Sequence, residues 1–441
     1  MSKKLPQRFI DTTNEFLESE SNIVKYRMSE KDFTRNRKLS FQDLSLCMLK
    51  LLRQNIQVEL NSYFDVFKQS VSKKPHSFSS SAFVQSRKKL KPDMFYDLSK
   101  LISDDFYLDN DENVKLYKGH RLVAIDGSQI NLPVNNETRD TYGTYTNQKI
   151  NNDVVNGRVS IMYDLLNEMV LDGVLCHSKV GEIPLSRLHI PLACKNDIII
   201  MDRGYANFDS MYEMNQRNIH YIFRCQSNFS NVVKTFIGSG KKDAVVTMSP
   251  NPNQSFKELS YNKNETIQVR MIRVELSSGE SEILITSLLD KTIYPHKDFK
   301  ALYFKRWGIE TYYNRFKNII GVENFSGTSD QFIQQEFNCA LYMSNMQSIL
   351  TRDAQDEASK KYKDRKYEYK INSSLSLCFI RQRILDIFKD KMNTNEKLEE
   401  LKTLFVLNVI PVRPNRTFVR EPDKFRQRTK PKQFNNRRTN I

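Results

Sequence analysis

Apolar residues recur at helical spacing through the first hundred positions. The clearest run is SFQDLSLCMLKLLRQ, where Leu44, Cys47, Met48 and Leu51 follow a polar start at Ser40. A second helix is predicted over SSAFVQSRKKL, and it carries Arg87, Lys88 and Lys89. Two short helices with a basic second member fit either a DNA-contacting unit or an ordinary helical domain with a solvated basic face. After the acidic, turn-rich stretch SDDFYLDNDENV the pattern changes. RLVAIDGSQINLP reads as a buried strand with Asp126 at its heart. RVSIMYDLL and EMVLDGVL read as two more strands, joined by a tight turn near Asn167. PLSRLHIPLA is a predicted helix, DIIIMDRGY a short apolar strand ending in Asp202, FDSMYEMNQRN a helix and HYIFRC another strand. Strands in a meander, then alternating with helices, predict a mixed α/β sheet.

From about Gln226 to Ser287 the pattern is again strand-like, in KDAVVTM, TIQVRMIRVEL and SEILITSL. A long helix is predicted from about His296 to Ile320, with further helices near 329–351, 373–391 and 394–405. The expected organisation is a helical N-terminal DNA-binding domain (1–115), a catalytic core (116–225 and 288–351) interrupted by a β-rich insertion (226–287), and a helical C-terminal region (352–441). The last part ends in a basic tail: from Arg413 onward there are ten Lys and Arg against Glu421 and Asp423.

Composition narrows the function. The 441 residues carry 68 Lys+Arg against 52 Asp+Glu, a net charge of +16, which favours a polyanionic partner. With 27 Phe and 20 Tyr the chain has the means to fold. No stretch approaches the ~18 consecutive apolar residues of a membrane span, so no membrane partner is expected. The N-terminus lacks the apolar core of a secretory signal, and the six scattered cysteines form no CxxC pair. Both point to a cytoplasmic protein with reduced thiols.

The candidate chemistry lies in carboxylates. Asp126 and Asp202 each sit in or just after an apolar strand, where α/β sheets present reactive side chains; singly, each also fits a turn or cap. On the predicted long helix, Tyr303, Arg306, Glu310 and Lys317 fall within one sector of about 60° at ~100° per residue. Leu302, Ile309, Tyr313, Phe316 and Ile320 form an apolar stripe beside it. An Arg306–Glu310 i,i+4 ion pair is the plainer reading of part of that spacing. Three carboxylates on separate elements suit two divalent cations ~3.5–4 Å apart, which stabilise both the attacking and leaving oxygens of a phosphoryl transfer. Arg203, next to Asp202, fits a phosphate clamp or a simple pairing with a carboxylate. His177 and Glu182, in CHSKVGEIPL, fit a surface turn and a helix start, or a general base or fourth metal ligand.

The spacing Tyr303-x2-Arg306-x3-Glu310-x6-Lys317 resembles the Y-x2-R-x3-E-x6-K signature of the IS-four-type DDE transposases of bacterial insertion sequences. Asp126-Gly127-Ser128 resembles that family's first aspartate motif and Asp202-Arg203-Gly204-Tyr205 its second. The VENFSGTS run and the RPNR-type tail agree, and the similarity spans most of residues 40–430. The resemblance implies a ribonuclease-H-like core interrupted by the β-rich insertion. It implies that Asp126, Asp202 and Glu310 hold two Mg²⁺ ions (Mn²⁺ as substitute), and that Tyr303, Arg306 and Lys317 contact DNA near the cleaved phosphate. The implied partners are double-stranded DNA, as element terminal inverted repeats and target, and a second copy of the chain in the DNA complex. The implied reaction is cut-and-paste transposition. A metal-dependent nuclease that cuts without joining and an inactive DNA-binding repressor are the alternatives. In the family's best-studied members a Trp in the insertion stabilises a flipped base. The only Trp here is Trp307, on the signature helix, so stacking would fall to Phe229, Phe236, Phe256 or Tyr261, or be absent.

Overall fold

A computed structural model describes residues 4–35, 39–51, 55–62, 78–108, 114–145, 154–252, 261–275 and 279–413. Among these, nine strands form one mixed sheet: β1 (Leu122–Leu132), β2 (Thr144–Tyr145), β3 (Val154–Asp164), β4 (Met169–His177), β5 (Ile198–Met201), β6 (His220–Cys225), β7 (Asp243–Met248), β8 (Ile267–Glu275) and β9 (Ser281–Thr286). The order runs β2-β3-β1-β5-β6-β9-β8-β7, and β4 pairs with β3. β3 lies antiparallel to β1 and β4 antiparallel to β3, whereas β5 is parallel to β1 and β6 parallel to β5. Three antiparallel strands followed by two parallel ones, with the first strand central, form a ribonuclease-H-like core.

The strands of the 226–287 segment extend this sheet, because β9 pairs antiparallel with β6 and carries β8 and β7 beyond it. The segment also holds a helix, Asn231–Gly238, where strand-like spacing was expected throughout. Ser230 caps it by accepting the Val233 N–H, and Val233 and Phe236 are buried.

The short β5 is apolar at all four positions and buried at all four, as expected of a parallel strand covered on both faces. One face of the sheet belongs to a core running from Phe9 and Leu44 through Ile125 and Ile161 to Phe388 and Phe405, so the N- and C-terminal helices share it. The opposite face gathers Leu122, Ile198, Ile200 and Ile222 against Phe299, Leu302 and Tyr303.

The helix predicted from 296 to 320 is not continuous. It forms as α2 (Asp298–Phe304) and α3 (Trp307–Arg315), with a turn at Lys305–Arg306 between them; α1 is the earlier helix Glu182–His189. A wider π winding follows over Phe316–Ile320, and Gly321, at φ 70°, ends it in the left-handed conformation that favours glycine. The predicted apolar stripe is buried as expected: Leu302, Ile309, Tyr313, Phe316 and Ile320 all face the core. The long α4 (Asp330–Lys361) packs against the N-terminal helix Asp93–Leu108 and against β4.

The basic N-terminal helix departs from its DNA-contacting reading at one position. Arg87, at the end of Ser80–Arg87, has no exposed surface. Its guanidinium donates to Ser326 Oγ (2.8 Å), Gln335 Oε1 (3.2 Å) and the Phe332 carbonyl (3.3 Å). It pairs with Glu336 at 3.0 Å and stacks over the Phe332 ring. Arg87 therefore bolts this helix to the start of α4 and leaves no donor face for DNA. Lys89 is partly exposed and lies 3.9 Å from Asp32.

Candidate active site

Register brings the two aspartates together. β1 and β5 pair Leu122 with Ile198 and Ala124 with Ile200. Asp126 and Asp202 each lie two residues beyond the last of these pairs, so they reach the same level and the same face at the carboxyl ends of neighbouring parallel strands. β5 and β6 pair Ile200 with Ile222, which sets Arg224 level with Asp202 on the next strand. This row stands on the face covered by α2.

Each carboxylate is held by named donors. Asp126 Oδ1 accepts the Gly127 N–H (2.9 Å) and the Tyr205 hydroxyl (3.3 Å), and the Asp126 carbonyl accepts from Tyr313 (2.7 Å). Asp202 Oδ1 lies 2.8 Å from Arg224 Nε and accepts from the Tyr303 hydroxyl at 3.2 Å. Arg224 also pairs with Glu282 on β9 at 2.6 Å. Glu310, on the first turn of α3, accepts from Arg306 at 2.8 Å. The plain i,i+4 ion pair is therefore formed. Arg306 is only 6% exposed, at the turn between α2 and α3. Lys317 reaches back to β1 and donates to Ser128 Oγ and the Gln129 carbonyl, both at 2.7 Å. Arg203 is exposed and supports Asp202 through its backbone N–H.

The electrostatics tie the three carboxylates to one another. Burial pushes Asp126 up to about 6, and the Glu182 and Glu310 charges add to this against the Gly127 N–H and Arg306. Burial acts the same way on Asp202, but the Arg203 N–H, Arg224 and Arg306 outweigh it and hold that carboxyl below its usual value. Burial opposes the Arg306 charge, yet Tyr303, Glu310 and Asp202 keep its pKa above the ordinary one. Arg306 is thus a positive charge felt by all three acids. Burial raises the Tyr303 phenol, which remains a protonated donor.

A resident divalent ion can be tested against this arrangement. Among the described residues, no group of three or more His, Cys, Asp or Glu side chains is gathered closely enough to hold an ion. The chemistry of the donors suits such an ion, since all three acids offer hard carboxylate oxygens, but the three are not closed into a ligand set here. Arg306 bonds Glu310 directly and reaches Asp126 and Asp202 through its charge.

Sequence reasoning missed Arg224, Glu282 and the positioning phenols Tyr205 and Tyr313. A charged residue closing an otherwise apolar strand, as in HYIFRC, was the available signal for Arg224. The described aromatics of the insertion are wholly or partly buried. Phe236 and Tyr261 are buried, Tyr261 donating to Asp209, and Phe229 packs on the core; Phe256 lies outside the described residues. The exposed rings near the site are Phe304 (68%) and Trp307 (44%), flanking Arg306.

No helix among the described residues is long and apolar enough to cross a membrane. No curated protein matches the chain. Among solved structures it is similar to the piggyBac transposase synaptic complex with hairpin DNA, with 10% identity over 90% of this chain and 81% of that one and a TM-score of 0.42. Residues 117–346, which contain Asp126, Asp202 and Glu310, match the transposase DDE domain. With just over half its length inside that match and the acids arrayed across a ribonuclease-H-like sheet, the chain belongs to the transposase DDE domain family.

Proposed function

We propose that this DNA transposase is of the IS-four type, cutting insertion-sequence ends and joining them to target DNA, with Asp126, Asp202 and Glu310 as its acidic triad. The observation that carries the reading is the shared level of Asp126 and Asp202 on adjacent strands, with Glu310 within electrostatic reach of Asp126. In this reading the three carboxylates hold two Mg²⁺ ions, replaceable by Mn²⁺. When bound, these ions supply Lewis-acid stabilisation of the attacking and leaving oxygens.

The chain's own groups do the rest. Tyr303 and Arg224 orient the Asp202 carboxylate, and Tyr205 and the Gly127 N–H orient that of Asp126. Arg306, Lys317 and Arg203 bring positive charge to the phosphates beside the scissile bond, with Tyr303 among them as a donor. A guanidinium grips a phosphate through two parallel hydrogen bonds, which favours arginine at such a place. The net charge of +16 draws duplex DNA without reading its sequence. The helical region of 1–115, the β-rich segment of 226–287 and the helical region from 352 complete the DNA-binding protein. A second copy joins it when two element ends are brought together.

The test is cleavage and strand transfer on DNA carrying the element ends, with Asp126→Asn, Asp202→Asn and Glu310→Gln. Each change should remove most catalysis while leaving DNA binding in place, because the ions act on the transition state. A near-parental rate in any one of them would take that residue out of the triad. Cleavage without joined products would favour the nuclease.

A further inference from the structure

The helix α4 runs down β4 toward the end of the sheet where β1 begins. Gln334, near its start, donates to the Leu175 carbonyl, Asn345 bonds the Val170 backbone, and Arg352 reaches Asn167 in the β3–β4 turn. That turn adjoins the first residue of β1, since the Leu165 N–H donates to the Leu122 carbonyl. Asp126 lies further along β1, so the last turns of α4 project away from the acids. Past Arg352 the helix continues for about 13 Å, at roughly 1.5 Å per residue. There the chain turns strongly basic. Positions 360–370 hold Lys360, Lys361, Lys363, Arg365, Lys366 and Lys370 against Asp364 and Glu368, and all six cations are exposed. Among the described residues none of the six has a carboxylate partner, although two acids stand between them. Lys360 and Lys361 close α4, where a cation serves the helix dipole. The other four lie past its end and gain nothing from it. The segment that presents them is fixed. The Tyr362 hydroxyl donates to the Val406 carbonyl, and its ring meets that of Tyr369 at 5.3 Å. Gln355 brackets β10 (Tyr369–Ile371), donating to the Tyr369 carbonyl and accepting the Ile371 N–H, both at 2.9 Å. β10 pairs antiparallel with β11 (Val409–Pro411), and the Val412 N–H donates to the Glu368 carbonyl at 2.7 Å. The exposed Arg413, first cation of the basic C-terminal stretch, therefore follows directly beside this turn.

We propose that residues 360–370, together with Arg413, form a second duplex-binding surface at the end of the molecule away from the acidic row, gripping the phosphate backbone without reading bases. This rests on the reading that the chain binds duplex DNA, and it places one contact within the region from 352. Charge complementarity selects the occupant. Cations without counter-charges, held on an ordered turn, match the closely spaced phosphates of a duplex and release its condensed ions. A run that served only solubility would need neither a fixed scaffold nor a second basic segment beside it. The DNA taken here is flanking duplex, not the stretch held at the acids.

The experiment uses the full-length chain and a long duplex of random sequence. Lysine acetylation, read by mass spectrometry, compares the free and the bound protein. We expect Lys363, Lys366 and Lys370 to be labelled several-fold more slowly in the complex. A second arm measures affinity across a salt series for the combined variant Lys363→Gln, Arg365→Gln, Lys366→Gln, Lys370→Gln. Its charge-keeping counterpart is Lys363→Arg, Lys366→Arg, Lys370→Arg, and thermal melts verify that both are folded. The glutamine variant should bind about eightfold more weakly per lost contact at about 0.1 M salt, and its slope of log affinity against log salt should flatten by about 0.9 per contact. The arginine variant should stay within about twofold of the parent, since the phosphate contacts need only the charge. Labelling of these lysines that falls no more than that of the chain's other exposed lysines would overturn the inference, as would a parental slope in the folded glutamine variant. Slower labelling at raised protein concentration without DNA would give the surface to a second copy, again overturning it. A parent that binds no duplex at all would instead overturn the reading beneath.

Discussion

Replacing Arg87 by alanine is expected to destabilise the protein strongly and to leave the salt dependence of DNA binding unchanged. The guanidinium is wholly buried and makes three hydrogen bonds, to Ser326, Gln335 and the Phe332 carbonyl, besides its pair with Glu336. Removing one partner of a buried ion pair costs about 3–5 kcal/mol, mainly because the other charge stays behind without its counter-ion. Glu336 keeps two donors, the Ser326 N–H and hydroxyl, which moderates the loss. Gln335 keeps its amide bonds to the Arg87 and Leu90 carbonyls. We therefore expect about 3 kcal/mol, at the lower end of that range. Arg87→Met with Glu336→Gln should recover most of it, because the pair is then replaced by neutral groups of similar bulk. Urea unfolding followed by circular dichroism measures the first effect. Duplex binding across a salt series measures the second, since each lost phosphate contact would flatten the slope of log affinity against log salt by about 0.9. A variant as stable as the parent but with a flatter slope would refute the clamp and return Arg87 to the DNA.

Asp126 gives a pH test. Its carboxyl is raised to about 6 by burial, so the fold favours the protonated form; that stability is fully present below the ordinary value near 4 and lost as pH rises through 6. Asp126→Asn should therefore be the more stable protein above pH 6, by up to about 3 kcal/mol for a shift of about two units, with the gap closing below pH 4. An equal melting difference at pH 4 and pH 8 would contradict this. Arg306→Ala should lower end cleavage more than Arg306→Lys, since lysine keeps a positive charge beside Glu310 and the phosphate though not the arginine fork; parental rates in both would leave it an ion pair alone. Truncation near residue 412 removes a tail with a net charge of +8. It should weaken binding to specific and random duplexes by similar factors and flatten the salt slope, and an unchanged slope would show that the tail does not touch DNA.

The sheet and its acids were legible because their signals are local. DIIIM is a continuous apolar run, and such runs followed by an aspartate mark the ends of buried strands. The interruption at Lys305–Arg306 was not legible, because the apolar period carries on from Leu302 to Ile309 as if the helix were whole. The burial of Arg87 was hidden for a different reason. The residue stands beside Lys88 and Lys89 in a polar stretch, and its partners lie some 240 residues further along the chain. The same distance hid Arg224, whose role depends on β6 lying beside β5 in register. Phe236 and Tyr261 look like free aromatics in a polar segment, yet they help form the core.

The alignment of Asp126, Asp202 and Arg224 has a consequence for how such a chain can vary. Side chains on a strand alternate between faces, so a one-residue insertion within Ile198–Met201 would turn Asp202 to the opposite side of the sheet. Swapping one aliphatic residue for another at those positions would leave it where it is. Descendants of this sequence are thus free to exchange isoleucine for valine or leucine there, but not to lengthen or shorten the run. The spacing between the strand's entry and its aspartate acts as a ruler, more tightly constrained than the identity of any residue that marks it.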